Sequence, residues 1–308
     1  MEFTDFYFPS STGENSIRGM KLIPDGEVRG VVQIAHGIAE HIERYDGFMT
    51  FLASHGFAVC GNDHLGHGKS YRSVAEKGIF SKAGGWKHVV DDMLKLHNMM
   101  KADYPDVPYI MFGHSMGSFL TRTYIIDHPD AYDLAILSGT GHQGSLLLLG
   151  GALIADTICS SKGVEGDGSK LAGIAFSGYC KRIPDARTEY DWLSRDPAVV
   201  ARYIQDPDCG FTCKNGLYRD MMHGLKYITG KTNIAKMDKD KPVYFMSGAE
   251  DPVGDYGAGV EKAYKAFCSA GMKDVTIRLY PGGRHEMLNE INKTDVMNDI
   301  LGWIESRI

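Results

Sequence analysis

The chain has 308 residues, 43% of them apolar, with 33 Lys and Arg against 39 Asp and Glu for a formal net charge of −6. That length is enough for one large core, or for a core carrying a small inserted domain. The mildly acidic balance and the lack of any basic run exclude a nucleic-acid footprint.

Phe3–Phe8 and Ile17–Ile23, joined by a Gly-Glu-Asn turn, predict an antiparallel strand pair. Val31–Ala35 is a continuous apolar run that stops at His36-Gly37. Phe57–Cys60 is another, stopping at Gly61-Asn62-Asp63. From Trp86 the apolar positions Val89, Val90, Met93, Leu94 and Met100 mark one helical face, and Tyr104-Pro105 ends it. Tyr109–Phe112 runs into Gly113, Ser118–Asp127 is helical, and Leu134–Leu137 stops at Ser138-Gly139. Short apolar runs bounded by glycine fit strands buried on both faces. Their alternation with helices predicts a mostly parallel sheet with helices on both faces.

The alternation breaks at Thr140 and returns at Pro242–Ser247 and Val275–Tyr280, with a helical stretch Tyr256–Gly271 between them. Val296, Ile300, Trp303, Ile304 and Ile308 share the face of a last helix. The stretch that breaks the pattern predicts an inserted, mostly helical cap. The expected division is therefore a first core part over 1–140, a cap over 141–213 and a second core part over 214–308.

No basic segment leads into an apolar stretch at the start, so no export signal is expected. No window approaches about 18 uninterrupted apolar residues, so no spanning helix is expected. The nearest, Ser145–Ala155, is too short. The six scattered cysteines are expected to be reduced thiols of a cytoplasmic protein. Cys209 and Cys213 form the only close pair, and no further ligands at metal-site spacing accompany them.

Gly113-His114-Ser115-Met116-Gly117 matches G-x-S-x-G, directly after a strand and directly before a helix. In that context Ser115 is the candidate nucleophile. The flanking glycines let strand and helix approach closely around a sharp turn, and the helix N-terminus offers free N–H groups. A serine hydroxyl needs a base, most often histidine. Of twelve histidines, His285 lies in the loop after the last predicted strand, on the carboxyl-end side where such sheets bind ligands. The acid that orients it should fall between serine and histidine in the chain. Asp251, just past the Pro242–Ser247 strand, fits better than its neighbour Glu250. The backbone N–H groups of Met116 and Ile38 are the expected oxyanion donors, with His36 and Gly37 supporting the loop that carries Ile38.

His36-Gly37-Ile38-Ala39-Glu40-His41 with Arg44-Tyr45, Asp63-His64-Leu65-Gly66-His67-Gly68-Lys69-Ser70, the serine turn, Leu193-Ser194-Arg195-Asp196-Pro197, Asp206-Pro207, and Gly283-Arg284-His285-Glu286 together resemble the monoacylglycerol lipases and bacterial lysophospholipases of the α/β-hydrolase fold. The resemblance spans roughly residues 30–290. It implies a serine hydrolase of single-chain acyl esters, the set Ser115, Asp251 and His285, oxyanion donors at Ile38 and Met116, and neither metal nor organic cofactor. Its small-molecule partner would be an acyl ester.

Three readings accompany the leading one. An aminopeptidase on the same fold would hold a substrate ammonium with acidic cap residues, for which Glu165, Asp185, Glu189 and Asp191 are available. A non-catalytic receptor usually lacks a member of the serine–histidine–acid set. Dehalogenase or epoxide hydrolase chemistry would want aspartate at 115. His36, His41, His64 and His67 with Asp63 suggest a polar network supporting the loops rather than a metal cluster. Leu146–Leu149, Ala152-Leu153-Ile154 and Phe176 offer apolar surface for an acyl pocket, for the cap's own core, or for transient contact with a membrane surface.

Overall fold

The apolar runs become strands, of which the inner ones are buried along most or all of their length and the two at the sheet edges are partly exposed. In the computed structural model, which describes residues 1–308, these are β1 (Phe3–Pro9), β2 (Ser16–Leu22), β3 (Gly30–Ala35), β4 (Phe57–Asn62), β5 (Tyr109–His114), β6 (Leu134–Ser138), β7 (Val243–Gly248) and β8 (Val275–Tyr280). They form one sheet in the order β1-β2-β4-β3-β5-β6-β7-β8. β2 pairs antiparallel with β1 and with β4, and all other pairings are parallel. The expected antiparallel strand pair is β1 and β2.

Ten α-helices surround the sheet: α1 (Asp46–Ser54), α2 (Gly85–Asp103), α3 (Met116–Asp127), α4 (Ser145–Lys162), α5 (Ser169–Phe176), α6 (Pro197–Gln205), α7 (Asn215–Thr229), α8 (Lys231–Ile234), α9 (Ala258–Ser269) and α10 (Lys293–Glu305). Successive strand side chains point to opposite sides. Val31, Met111, Leu137 and Phe245 join residues of α2, α3, α7 and α9 in one core. Val32, Ile110, Ile136 and Met246 join residues of α1 and α10 in the other. Each fully buried Val, Leu, Ile or Phe contributes about 1.5–3 kcal/mol of transfer free energy. The two-sided burial therefore fixes the register that brings the carboxyl ends of β3, β5, β6 and β7 together. This is the α/β-hydrolase fold.

Helices α4 to α8 all lie between β6 and β7. Over 141–213 the chain adds no strand to the sheet, and its only β-type pairing is an isolated bridge outside the sheet, Asp167 to Lys214. α7 packs against α2 and α3 and supports α4 from below. α4 departs from expectation. It continues past Ala155 to Lys162, and its 18 residues, of mean hydropathy 1.3, are long and apolar enough by length and composition to cross a membrane. Asp156 interrupts the apolar run without stopping the helix, because it sits on the surface and meets His223 Nε2 at 3.0 Å.

Candidate active site

Ser115 sits between β5 and α3 with φ 54° and ψ −123°, in the left-handed half of backbone space that a non-glycine residue occupies at a cost of about 1–3 kcal/mol. Its neighbours explain why the turn closes. A Cβ at Gly113 would lie 2.5 Å from the carbonyl oxygen of Gly117, and a Cβ at Gly117 would lie 2.6 Å from that of His36. The Ser115 N–H donates to the Ser138 carbonyl at 2.9 Å, which ties the turn to the end of β6.

His285 and Asp251 come from the loops after β8 and β7. The His285 Nδ1 lies 2.9 Å from Asp251 Oδ2, and both residues are buried. Facing a carboxylate, Nδ1 carries the proton and Nε2 is left as acceptor. Asp251 also accepts from Ser247 Oγ at 3.0 Å and from the Val253 N–H at 2.9 Å. Its alternative, Glu250, is exposed. Burial pulls the His285 pKa down, but the charge of Asp251 and its hydrogen bond, helped by Glu286 and Glu40, more than offset this, and the ring ends above its ordinary value. Gly139, at φ 58°, leaves room for the ring: a Cβ there would lie 2.9 Å from His285 Cε1. Ser115 Oγ is not hydrogen-bonded to the imidazole in this structure. Both groups line one cavity, and such hydrogen bonds often tighten only when substrate is bound.

The loop after β3 passes directly beside the serine, where a Cβ at Gly37 would lie 3.1 Å from Ser115 Cβ. No protein group accepts from the N–H of Ile38 or of Met116. His36 holds the loop from below. Its Nε2 accepts the His64 N–H at 2.9 Å, so Nδ1 donates to the Gly37 carbonyl at 2.7 Å. His114 packs on His285 with ring centroids 4.6 Å apart. Burial and the neighbouring His285 push its pKa down to about 4, so it stays neutral.

Three charged residues around this loop were quoted in the sequence without a role. Glu40 accepts from the Gly37 N–H, from Tyr45 and from Arg44. Arg44 in turn donates to both carboxylate oxygens of Glu286, at 2.8 and 2.7 Å. This buried Glu–Arg–Glu chain fastens the loop carrying Ile38 to the loop carrying His285. A second clamp fastens the helical insertion. Glu290 accepts from Arg195 Nε and from the Arg284 N–H, both at 2.9 Å.

The histidines near the first loops do not form one group. His36, His64 and His67 pack together, with ring centroids 4.2 and 5.4 Å from His36. His41 points elsewhere, to Asp206 Oδ2 at 2.9 Å. Asp63 accepts from the N–H groups of Ile42 and Lys69 and lies 3.6 Å from the guanidinium of Arg18. Cys209 lies with His41 and Asp206, their donor atoms within 4.8 Å of one another, and not in a pair with Cys213. This is the one group with metal-competent donors, and burial raises the Cys209 thiol, keeping it protonated.

A cavity of about 720 Å³ opens over Ser115 and His285, walled by Ile38 and Glu40 on one side and by residues 169–193 of the insertion on the other. Of the apolar residues that could serve an acyl pocket, the cap's own core or a membrane contact, only Phe176 lines the cavity. Leu148 and Ala152 are buried, whereas Leu146, Leu147 and Leu153 are 85%, 67% and 68% exposed. α4 is apolar all round, so its sequence period could not say which face turns inward. The assembled parts, a strained hydroxyl, an imidazole held by a carboxylate and two free N–H donors, are those that nucleophilic acyl transfer requires.

Residues 26–292 match the family described as serine aminopeptidase, S33, a family of hydrolases. The chain is 29% identical to a monoacylglycerol lipase of Mycolicibacterium smegmatis, over 92% of this chain and 91% of that one. It is 25% identical to the monoglyceride lipase of Mus musculus, over 92% and 85% of the two chains. A highly thermostable carboxyl esterase from Bacillus coagulans, solved in complex with glycerol, superposes with a TM-score of 0.92 at 30% identity, over 100% of this chain and 99% of that one. The chain belongs to this family and is an ester hydrolase of the α/β-hydrolase fold.

Proposed function

We propose that this family member hydrolyses carboxylic esters of single-chain acyl lipids, of monoacylglycerol or lysophospholipid type, through an acyl-enzyme on Ser115. The observation that carries the reading is His285, held by the buried Asp251, lining the same cavity as a serine on a strained strand-to-helix turn. The names of the relatives, lipases of monoacylglycerols, supply the substrate class.

Ser115 Oγ attacks the ester carbonyl while His285 Nε2 takes its proton. The new alkoxide settles against the N–H groups of Ile38 and Met116. When the intermediate collapses, the imidazolium returns its proton to the leaving alcohol. Water then attacks the acyl-enzyme with the same base, releasing the acid and restoring the serine. Asp251 holds the tautomer and stabilises the imidazolium.

The stretch 141–213 acts as a cap over this site, and its exposed leucines contact lipid surfaces transiently. Six unpaired cysteines favour a cytoplasmic setting. The family description keeps a peptidase reading in view. Of the four acidic residues available to it, only Glu189 lines the cavity. Glu165 faces Lys82 at 3.4 Å, and Asp191 is buried and bonded to Thr188 and the Arg187 N–H.

The test is direct. A fluorophosphonate probe should label the wild-type protein and not Ser115→Ala, and glycerol monoesters should be cleaved far faster than aminoacyl-nitroanilides. Labelling that persists in Ser115→Ala, or the reverse substrate order, overturns the reading.

A further inference from the structure

The cavity wall is richer in aromatic than in branched aliphatic side chains. Seven of its 26 lining residues are Phe, Tyr or Trp, while Ile38 and Leu193 are its only branched aliphatics. Leu146, Leu147, Leu149 and Leu153 of α4, which would suit an alkyl chain, are turned to solvent and line no part of the cavity. The sequence thus places its aliphatic surface outside and its aromatic surface inside.

The aromatic residues form a connected set that begins at the reacting groups. Trp192 lies against His285 with ring centroids 5.0 Å apart. Phe176 stacks on Trp192 at 14° between planes, and Tyr179 meets Trp192 edge-on at 4.9 Å. Tyr218 meets Phe176 edge-on at 6.3 Å. Elsewhere in the cavity, Tyr203 donates to the Ala39 carbonyl at 3.2 Å, so its ring is pinned by its hydroxyl. Phe176, Tyr179 and Trp192 are each half-buried, with surface still open to the cavity.

Flat, fixed rings of this kind offer faces and edges to another ring, an attraction beyond the area that any apolar group buries. A flexible alkyl chain gains only the area and loses the freedom of its many rotors on entry. A ring attached a few bonds from the carbonyl has little freedom to lose.

From this we infer that the site prefers acyl groups bearing an aromatic ring two or three bonds from the ester carbonyl, of the arylpropanoyl type, over saturated chains of equal carbon number. The inference rests on the ester-hydrolase reading of the same site and specifies its acyl class. The ring lies among Phe176, Tyr179 and Trp192, with the carbonyl over Ser115.

The experiment compares three monoesters of glycerol: 3-phenylpropanoate, 3-cyclohexylpropanoate and nonanoate. Each acyl group has nine carbons, and only the first has a π face. The acetate ester serves as the measure of ester hydrolysis itself. The expected kcat/KM for the phenyl ester is about ten-fold above the cyclohexyl and nonanoyl esters, the size of a few aromatic contacts. The phenyl-to-cyclohexyl ratio should fall toward one in Phe176→Leu, whatever that variant does to the absolute rate. In Ser115→Ala, the intact phenyl ester should quench tryptophan fluorescence at lower concentration than the cyclohexyl ester. Equal or reversed preference in an enzyme that cleaves the acetate ester overturns this inference and leaves ester hydrolysis standing. An unchanged ratio in Phe176→Leu also overturns it. Failure to cleave any of the four esters instead defeats the underlying reading.

Discussion

Gly117 lies under the carbonyl of Ala35 so closely that a Cβ there would fall inside the van der Waals radius of that oxygen. The obstacle is backbone at the end of β3, which cannot swing aside as a side-chain tip does. Gly117→Ala must therefore push α3 away from β3 and open the turn that holds Ser115. Overpacking of this kind costs about 1–3 kcal/mol, and a backbone obstacle puts it at the upper end. We expect a lowered urea midpoint together with at least a hundred-fold loss of ester hydrolysis. Gly302→Ala on α10, where a Cβ meets nothing within 4 Å, should leave activity unchanged and, if anything, raise the midpoint slightly.

Asp251→Asn tests the other half of the site. The amide is nearly the same size, so packing around His285 is kept. What changes is the partner of Nδ1. An amide does not hold that nitrogen protonated, and it does not neutralise an imidazolium. In a serine–histidine–aspartate arrangement such a change lowers kcat about 10⁴-fold. The expected result is a loss of that order with an unchanged melting curve. A loss below ten-fold would remove Asp251 from the mechanism.

Much of this placement was legible before any coordinates. Val31–Ala35, Tyr109–Phe112 and Leu134–Leu137 read as strands because burial on both faces leaves an unbroken apolar run, and glycine marks where each stops. Ser115, Asp251 and His285 could be chosen because all three follow such runs at the same edge of the sheet. The links among them were not legible. Arg44 and Glu286 are 242 residues apart, and charged residues on loops carry no period that would pair them. The direction faced by α4 was hidden for the opposite reason, since a helix apolar on every side has no distinguishable inner face.

That Arg44–Glu286 link has a measurable weight. Glu40 and Glu286 are both almost fully buried, and Arg44 is the cation that joins them. Removing it leaves two carboxylates in low dielectric without their partner, a change that costs about 3–5 kcal/mol. Arg44→Met should lower the urea midpoint accordingly and loosen the loop that presents Ile38. Arg44→Lys keeps the charge but loses the two-pronged geometry, and should fall between. If Arg44→Met is as stable as the wild type, the chain of charges is ornamental.

The pH profile follows from His285. The base works only when neutral, so activity is lost as pH falls through its pKa. Burial lowers that pKa, but Asp251, Glu286 and Glu40 together raise it above the ordinary imidazole value of about 6.5. The acid limb of kcat/KM should therefore have its midpoint above that value. Glu286→Gln removes one of the charges that raises it. The limb should then move toward lower pH, while the rate on the plateau changes much less. A limb that does not move would show that Glu286 acts only through Arg44.

The exposed face of the insertion makes the last prediction. Leu146, Leu147 and Leu153 on α4 are more than two-thirds uncovered, and Ile174 on α5 is 57% exposed. No other part of the surface gathers so many large aliphatic groups, and α5 also forms part of the cavity wall through Ala172 and Phe176. Set against a lipid surface, this face would keep the protein where single-chain esters are concentrated. Each leucine transferred from water into an apolar layer contributes about 1.5–3 kcal/mol when fully buried, and less at an interface. Replacing Leu146, Leu147 and Leu153 with serine should therefore weaken binding to phosphatidylcholine vesicles at least ten-fold. Hydrolysis of a short, fully dissolved ester should be unaffected, because none of the three lines the cavity. Vesicles that neither bind the wild-type protein nor raise its activity would show that this face meets something other than lipid.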